Sequence, residues 1–252
     1  MSMPPCRRLK QEHMKTLVTN AEIEEVGESL ISGYIGKRKP PPKCIDIEGF
    51  ITEFLHLPIV YASIAEDDRD KVGFLSDGKY PLRIVERGKA KTRIYPQGTI
   101  VIDRLLLQAD KSGYRRFTLA HEAAHVIFER MSPLAPGPCF NRVFDAEQVY
   151  SLTELQEHLN LCESQTDAMA SVLLMPRFLV QQTLNEFMDG KPVTIYGSSV
   201  MRSQDKVAVQ MMADSMGVSF SALITRFRKL KLLDFRPMSE YIASEMNFGG
   251  VS

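Results

Sequence analysis

The chain has 252 residues, 44% of them hydrophobic and 25% charged, which suits an ordinary globular protein with one main domain and a small appendage. Lysine and arginine together number 31, as do aspartate and glutamate, so the whole chain has no bulk electrostatic attraction to nucleic acid or membrane. Any such attraction must come from local charge asymmetry. No secretory signal and no apolar run of roughly 20 residues is recognisable, so we expect no membrane association.

Four cysteines stand at positions 6, 44, 139 and 162, without a Cys-x-x-Cys pair. That pattern is typical of free thiols in a reducing compartment, and we therefore expect a cytoplasmic protein. Each thiol is expected to pack as a small hydrophobe.

The N-terminal part of the chain predicts two helices followed by a sheet. Thr19 and Glu22 form a capping box that opens the first helix, and Asp46 can cap the second. From Pro58 the pattern changes to short β-rich runs with turn residues between them. Strands are expected over residues 59–64, 72–75, 82–86, 91–95 and 99–103. Their short connections favour a mainly antiparallel or mixed sheet.

Helices dominate the rest of the chain. They are expected over residues 112–130, 151–175, 176–190 and from 196 to the end. Ser151 and Glu154 form a second capping box, and Pro176 ends the helix before it. The order of helices, sheet and helices predicts an α+β fold. We divide it into a basic flexible lead (1–18), a main domain (19–190) and a helical C-terminal segment (191–252).

The helix predicted over residues 112–130 carries an HExxH motif, His121-Glu122-Ala123-Ala124-His125. Residues four apart on an α-helix lie about 40° apart and one turn up, so both imidazoles can bind one cation. Glu122 projects about a quarter-turn aside, where its carboxylate can act as a general base without binding the metal. The motif therefore predicts a zinc peptidase site with His121 and His125 as ligands and Glu122 as the catalytic residue.

Catalytic zinc usually has three protein ligands and an open position, so another residue must complete the site. The extended motif would place a third histidine at position 131, where this sequence has Met131. Glu163 is the preferred ligand, because an apolar stretch follows it on the long predicted helix. Competing ligands are Asp167, Asp145, His158 and Cys162.

Asp167 follows Glu163 by four residues, so the two carboxylates share one face of the predicted helix. From there Asp167 could accept the outward N–H of a ligating histidine and fix its tautomer. We therefore predict a His₂Glu zinc site in which Asp167 orients a ligand.

Two blocks of sequence, residues 115–125 (RRFTLAHEAAH) and 163–176 (ESQTDAMASVLLMP), resemble the two signatures of the ImmA/IrrE family of metallopeptidases. Glu163 falls at the position of that family's ligand glutamate, thirteen residues before Pro176. Departures from the family's usual Ala, Asn and Phe are Thr166, Asp167 and Met169.

The resemblance covers residues 20–235 and carries expectations beyond zinc chemistry. It implies a zincin-like metallopeptidase that cleaves helix-turn-helix repressors of mobile elements or stress regulons in the cytoplasm. Only the peptidase chemistry follows from the residues themselves; the class of substrate comes from the likeness.

The C-terminal segment has a helix-turn-helix outline, with a turn at Gly217-Val218-Ser219 and Ser219 as the cap of the following helix. Between Arg202 and Arg236, seven basic residues oppose three acidic ones, an excess of four positive charges. This modest excess leads us to expect docking of a protein substrate rather than DNA. One face of the first helix is expected to be lined by Val207, Ala208, Met211, Met212 and Met216. Methionines 201, 211, 212 and 216 are expected to be mostly core, although a methionine-rich groove could receive a partner helix.

The predicted function is hydrolysis of a peptide bond in a protein by a zinc-dependent endopeptidase. An extended substrate segment is expected to pair with the strand at 99–103, taken as a sheet edge. Three tyrosines could stabilise the oxyanion: Tyr61, Tyr95 and Tyr150. One alternative is a non-enzymatic regulator that binds DNA or a repressor through its C-terminal helices and keeps zinc only for structure; such a site would not need Glu122. Another is a zinc hydrolase that acts on small molecules, which a narrow closed pocket would favour.

Overall fold

The structure is a computed structural model that describes residues 18–36, 42–67, 71–131 and 152–245, with side chains over 160–243 in the last range. It divides into two compact units, one of Met1–Tyr34 with Ile47–Leu173 and the other of Ile35–Asp46 with Leu174–Ser252. Compact units need not fold independently, so the predicted boundary between the main domain and the C-terminal segment, at residue 190, stays a prediction. Most of the predicted lead, residues 1–17, lies outside the described residues.

The helices of the first unit are α1 (Asn20–Ile35), α2 (Ile47–Gly49), α3 (Ser112–Met131) and α4 (Leu152–Leu174). Helix α1 begins at the predicted capping box: the backbone N–H of Thr19 donates to Glu22 Oε2 at 2.7 Å, and the Glu22 N–H donates to Thr19 Oγ1 at 3.2 Å. The predicted second helix is a single turn that continues as a π-helical turn, Phe50–Phe54. Ser151, predicted to cap α4, lies outside the described residues.

Helices α1 and α4 approach each other closely at Gly27. A Cβ added to Gly27 would lie 2.6 Å from Val172 Cγ1, which is inside van der Waals contact. Ile23 and Ile31 of α1 are buried, as is Val172 on α4. A residue without a side chain at position 27 therefore lets α1 pack against the helix that carries Glu163 and Asp167.

Five strands form a mixed sheet in the order β2-β5-β1-β3-β4. They are β1 (Ile59–Ile64), β2 (Gly73–Leu75), β3 (Leu82–Glu86), β4 (Lys89–Arg93) and β5 (Ile100–Asp103). Strands β1 and β5 are parallel, whereas the other neighbours are antiparallel. The α+β class and the mixed sheet are thus confirmed, and the strand ends differ from the predicted ones by two residues at most.

The prediction that residues 99–103 form an edge of the sheet is wrong. Strand β5 lies between β2 and β1, and its Ile100, Val101 and Ile102 are all buried. A continuous apolar run is typical of a strand that is covered on both faces. Among the described strands, β2 and β4 are the edges, and β2 lies next to α3.

The second unit contains helices and a two-stranded parallel sheet. Its elements are α5 (Arg177–Met188), β6 (Val193–Tyr196), α6 (Ser203–Met216), α7 (Phe220–Leu230), β7 (Leu233–Arg236) and α8 (Met238–Glu245). The expectation of helix from residue 196 to the end is therefore wrong at β7. Strand β7 pairs with β6 through a crossover that contains α6 and α7, which parallel strands require.

The predicted helix-turn-helix outline is confirmed in α6 and α7. Gly217 closes α6 at a φ of 65°, in the left-handed region that glycine adopts without strain, and the Ser219 hydroxyl caps α7 by accepting from the N–H of Ala222. No single described helix is long and apolar enough to cross a membrane; α6 and α7 meet that test only as a pair, and they are bent by 99°.

The predicted methionine-lined face of α6 is divided by the fold. The buried residues recur at helical spacing: Val209, Met212, Ala213 and Met216. Val207 and Met211, by contrast, are 58% and 50% exposed. Of the five residues predicted to line that face, Met212 and Met216 are thus buried and Ala208 is half-buried, while Val207 and Met211, one turn apart, are open to solvent.

Arg226 on α7 is completely buried, although it is one of the seven basic residues counted between Arg202 and Arg236. Its Nε donates to the carbonyl oxygen of Met175 at 2.8 Å, which ties α7 to the segment before α5. Burying a guanidinium is costly unless it is hydrogen-bonded, so this contact is part of the core of the second unit. Arg226 therefore contributes no positive charge to the surface.

Candidate metal centre

Helix α3 places both histidines of the HExxH motif on one side. The opposite side is anchored in the core by small and apolar residues, Leu119, Ala120, Ala123, Ala124 and Ile127. The Nε2 atoms of His121 and His125 lie 3.2 Å apart, with the two rings nearly perpendicular at 80°. The (i, i+4) spacing therefore brings two nitrogen donors to one point, as the motif predicts.

Helix α4 brings Glu163 to the same point. Its Oε2 is 3.2 Å from His121 Nε2, and its Oε1 is 4.0 Å from His125 Nε2. One ligand atom from each of the three residues lies within 4.8 Å of the others, and the group could hold a metal ion. The carboxylate that sequence ranked first among the possible third ligands is therefore the one found beside the two histidines.

The spacing of these atoms fits a small tetrahedral ion. Ligands at about 2.1 Å from a tetrahedral centre are separated from one another by about 3.4 Å. The His121–His125 and His121–Glu163 separations, both 3.2 Å, are close to that value, and the other Glu163 oxygen lies 4.0 Å from His125 Nε2. The side chain of Glu163 is 56% exposed, so solvent reaches the cluster.

Asp167 lies one turn along α4 from Glu163 and contacts His121 from behind. Its Oδ1 is 3.0 Å from His121 Nδ1. When Nδ1–H donates to a carboxylate, Nε2 keeps its free electron pair. Nε2 is the nitrogen of His121 that faces Glu163 and His125. The position predicted for Asp167, outside the cluster and next to a ligand, is the one that the structure has.

The carboxylates concentrate negative charge around the histidines. Burial lowers the pKa of His121, but hydrogen bonds to Asp167 and Glu163 outweigh it and raise that pKa to about 10. Burial and the neighbouring His121 lower the pKa of His125 to about 4, and the hydrogen bond with His121 lowers the pKa of Glu163. The site is therefore built to stabilise one positive charge between the histidines and the carboxylates.

Glu122 is buried beside the cluster and is not one of its ligands. Only 8% of its surface is exposed, and burial followed by the charge of Glu163 raises its pKa to about 7, against the opposing effects of His121 and Lys71. The N–H of Leu75 on β2 also stabilises its charged form. A carboxyl group with a pKa near 7 can both accept and return a proton at neutral pH.

Strand β2 passes directly over Glu122. A Cβ added to Gly73 would lie 2.5 Å from Glu122 Oε1 and 2.6 Å from Thr118 Cγ2, so a side chain there would force Glu122 or Thr118 to move. Lys71, whose ammonium lies 5.1 Å from the centre of the Phe74 ring, adds a positive charge near the same carboxylate. Sequence reasoning missed Lys71 and Gly73, since neither belongs to a motif and only the fold brings β2 to α3.

The other candidates are placed elsewhere or lie outside the description. Cys162 is a half-buried free thiol and does not join the cluster, whereas Asp145 and the side chain of His158 are not among the described residues. Of the tyrosines considered for the oxyanion, Tyr61 donates to Glu48 Oε1 at 2.8 Å, and its pKa is raised to about 12 by burial and that carboxylate. Tyr95 is packed in the core of the sheet, and Tyr150 is not described.

The sequence matches no protein-family model, and no curated protein matches it. The likeness to the ImmA/IrrE family therefore rests on the two sequence blocks around the ligands, and it stays a prediction.

Proposed function

We propose that the protein is a zinc-dependent endopeptidase that hydrolyses a peptide bond in another protein. The observation that carries the proposal is the arrangement of one carboxylate and two imidazoles around a common point, with a second, buried carboxylate beside them. Two histidines and a glutamate are a ligand set of catalytic zinc, which needs an open position for water. His121, His125 and Glu163 would hold the ion.

Each of the other site residues has a part in that chemistry. Zinc, when bound, supplies a Lewis acid that polarises the scissile carbonyl and acidifies water. Glu122 takes the proton of the attacking water and returns it to the leaving amine, for which a pKa of about 7 is suited. Asp167 holds His121 in the tautomer and orientation that ligation needs.

The outer edge of β2 is the place where we expect an extended substrate segment to pair. Among the described strands β2 is an edge, with β5 as its one neighbour, and Gly73 sets it against Glu122. A segment added to this edge would form backbone hydrogen bonds along β2 and run past the proposed base. This replaces the strand at 99–103 as the expected docking edge.

The class of substrate comes from the sequence likeness alone. It favours a helix-turn-helix repressor of a mobile element or stress regulon as the protein that is cleaved, in the cytoplasm. Val207 and Met211, exposed one turn apart on α6, are available for such a partner, as are the exposed Phe235, Met238 and Ile242 of the same segment. The alternative of a regulator with a structural zinc predicts that Glu122 has no function.

The experiment compares the wild-type protein with Glu122→Gln in the same cells. Metal content is measured by elemental analysis, and new protein N-termini are identified by mass spectrometry. We expect both proteins to hold about one zinc, while the cleavage products disappear in the variant, because general-base catalysis contributes about 10²–10⁴-fold in rate. Products that persist with Glu122→Gln would overturn the proposal, and so would wild-type protein without zinc.

A further inference from the structure

Positive charge is concentrated on one hairpin of the first unit, although the whole chain is neutral. Between Leu82 and Arg93 the hairpin of β3 and β4 carries five cations and a single carboxylate, Glu86. The cations are Arg83, Arg87, Lys89, Lys91 and Arg93. All five are exposed, and so is every residue of β4. This is the kind of local asymmetry that a neutral chain needs in order to attract a polyanion.

Near its turn the hairpin is a two-stranded ribbon. Strand β3 pairs with β1 at only two positions, Ser63 with Val85 and Ile64 with Ile84, whereas it pairs with β4 along its whole length. The turn Arg87–Gly88 and the strand ends beside it are therefore paired with no third described strand. A two-stranded ribbon is narrow enough to enter the major groove of a nucleic-acid duplex, which is about 12 Å wide.

Three of the five cations make no ion pair within the described part of the chain. Arg83 is paired with Asp67 at 2.9 Å and Lys91 with Glu86 at 2.7 Å. Arg87 and Lys89 have no such partner, and the guanidinium of Arg93 lies over the ring of Tyr95 at 5.4 Å. Lys89, Lys91 and Arg93 alternate along β4, so they point to one side at intervals of about 6.8 Å.

From these observations we propose that the β3–β4 hairpin binds double-stranded nucleic acid through its phosphates, with Arg87, Lys89 and Arg93 as the main contacts. The composition of β4 (KAKTR) favours phosphate over a protein partner. Protein interfaces are depleted in lysine and are centred on buried apolar or aromatic residues, and this strand has no apolar side chain larger than that of alanine. Lysine and arginine are the usual residues for phosphate contacts, which position a protein without reading sequence.

The hairpin is better suited to this role than the basic end of α7. Arg226 is buried against the Met175 carbonyl, and Arg236 is paired with Asp234 at 2.8 Å. The positive charge counted there from sequence is thus partly internal or neutralised. Lysines on an edge strand also prevent edge-to-edge association, so the experiment must separate that role from binding.

The test measures binding of the full-length protein to a mixed-sequence DNA duplex of about 20 base pairs, by fluorescence anisotropy between about 50 and 200 mM salt. Three phosphate contacts give a slope of log K against log salt of about −2.7, which is a loss of about 40-fold over that range. The variant Arg87→Gln/Lys89→Gln/Arg93→Gln should lose this salt-dependent binding. The matched control, Lys206→Gln/Arg228→Gln/Lys229→Gln, removes the same charge from exposed positions of α6 and α7 and should bind like the wild type.

A charge-conserving variant, Arg87→Lys/Arg93→Lys, keeps the proposal testable if the glutamine variant aggregates; it should retain the salt slope. Absence of salt-dependent binding by the wild type would overturn the proposal, as would loss of binding in the control. Equal affinity for polyglutamate, with the same salt slope, would also overturn it, because an acidic protein would then be the partner. None of these outcomes depends on peptidase activity, since only the duplex or polyglutamate is measured.

Discussion

The Nδ1 of His121 lies 3.0 Å from Oδ1 of Asp167, although the two residues are 46 positions apart in the chain. The contact joins the HExxH helix to the helix of the third ligand and fixes which imidazole nitrogen faces the cluster. A carboxylate can only accept this hydrogen bond, so His121 must donate through Nδ1. In the proposed site Asp167 is a positioning residue, and its contribution can be separated from that of Glu163, the proposed ligand.

We predict that Glu163→Ala lowers zinc affinity more than Asp167→Ala does. Losing a ligand removes a bond to the ion, whereas changing the partner of a ligating histidine usually costs about 10–100-fold in affinity. Competition with a chelating dye would measure both dissociation constants. Asp167→Asn should be milder than Asp167→Ala, because an amide oxygen can still accept from Nδ1–H. A larger loss with Asp167→Ala than with Glu163→Ala would reverse the two assignments.

Substitution of buried Arg226 should destabilise the second unit. Arg226→Met keeps an unbranched chain of similar length but removes the hydrogen bond to the Met175 carbonyl. Hydrogen bonds of charged groups contribute about 1.5–3 kcal/mol, and we expect a decrease of that size in the free energy of unfolding in urea. The matched control is Arg228→Met on the same helix, which is exposed and should change stability by less than about 0.5 kcal/mol. Equal effects of the two changes would contradict this role.

Two glycines in helices should respond oppositely to alanine. Alanine is favoured over glycine in a helix by about 1 kcal/mol, but at Gly27 its Cβ would lie 2.6 Å from buried Val172, and overpacking typically costs about 1–3 kcal/mol. Gly27→Ala should therefore destabilise the protein in thermal unfolding. Gly113→Ala, on α3 with nothing within 4 Å of the added Cβ, should stabilise it. Val172→Ala should rescue part of the loss caused by Gly27→Ala.

The capping box of α1 predicts a pH-dependent contribution to stability. Hydrogen bonds from the backbone and side chain of Thr19 lower the pKa of Glu22 from its usual 4.5. A lowered pKa means that the folded state binds the proton less tightly, so the stabilisation is full above about pH 5 and is lost as the pH falls through the folded-state pKa. The stability difference between the wild type and Glu22→Gln should therefore shrink on acidification. Thr19→Ala should remove most of that dependence, and an unchanged dependence would contradict the assignment.

The parts of the site that follow helical periodicity could be predicted from sequence. His121, Glu122 and His125 lie on one helix, and Glu163 and Asp167 on another, so their spacing alone determines which side chains share a face. The meeting of the two helices could not be derived in the same way. It is made by contacts between residues distant in the chain, such as that of His121 with Asp167, and such contacts leave no local pattern in the sequence.

The order of the strands in the sheet could not be predicted from local sequence patterns. The run at 99–103 reads as a strand, but whether it is central or at an edge depends on the pairing of β2 with β5, a contact between segments distant in sequence. The same limit applies to β7, since a four-residue strand after a helix is stabilised only by its pairing with β6. The buried face of α6, by contrast, could have been predicted from sequence. Its residues follow the helical period more closely than the five predicted to line one face: Val209, Met212, Ala213 and Met216.

Position 73 should be nearly invariant in a library of functional variants, and for a different reason from most glycines. It lies in an ordinary β-strand, so its backbone does not demand glycine, and strand propensity alone would favour valine or isoleucine. The restriction comes from the 2.5 Å that would separate a new Cβ from the Glu122 carboxylate. Saturation mutagenesis of position 73 would thus select for the absence of a side chain. The size of any residue recovered there would show how large a side chain is tolerated beside Glu122, the proposed base.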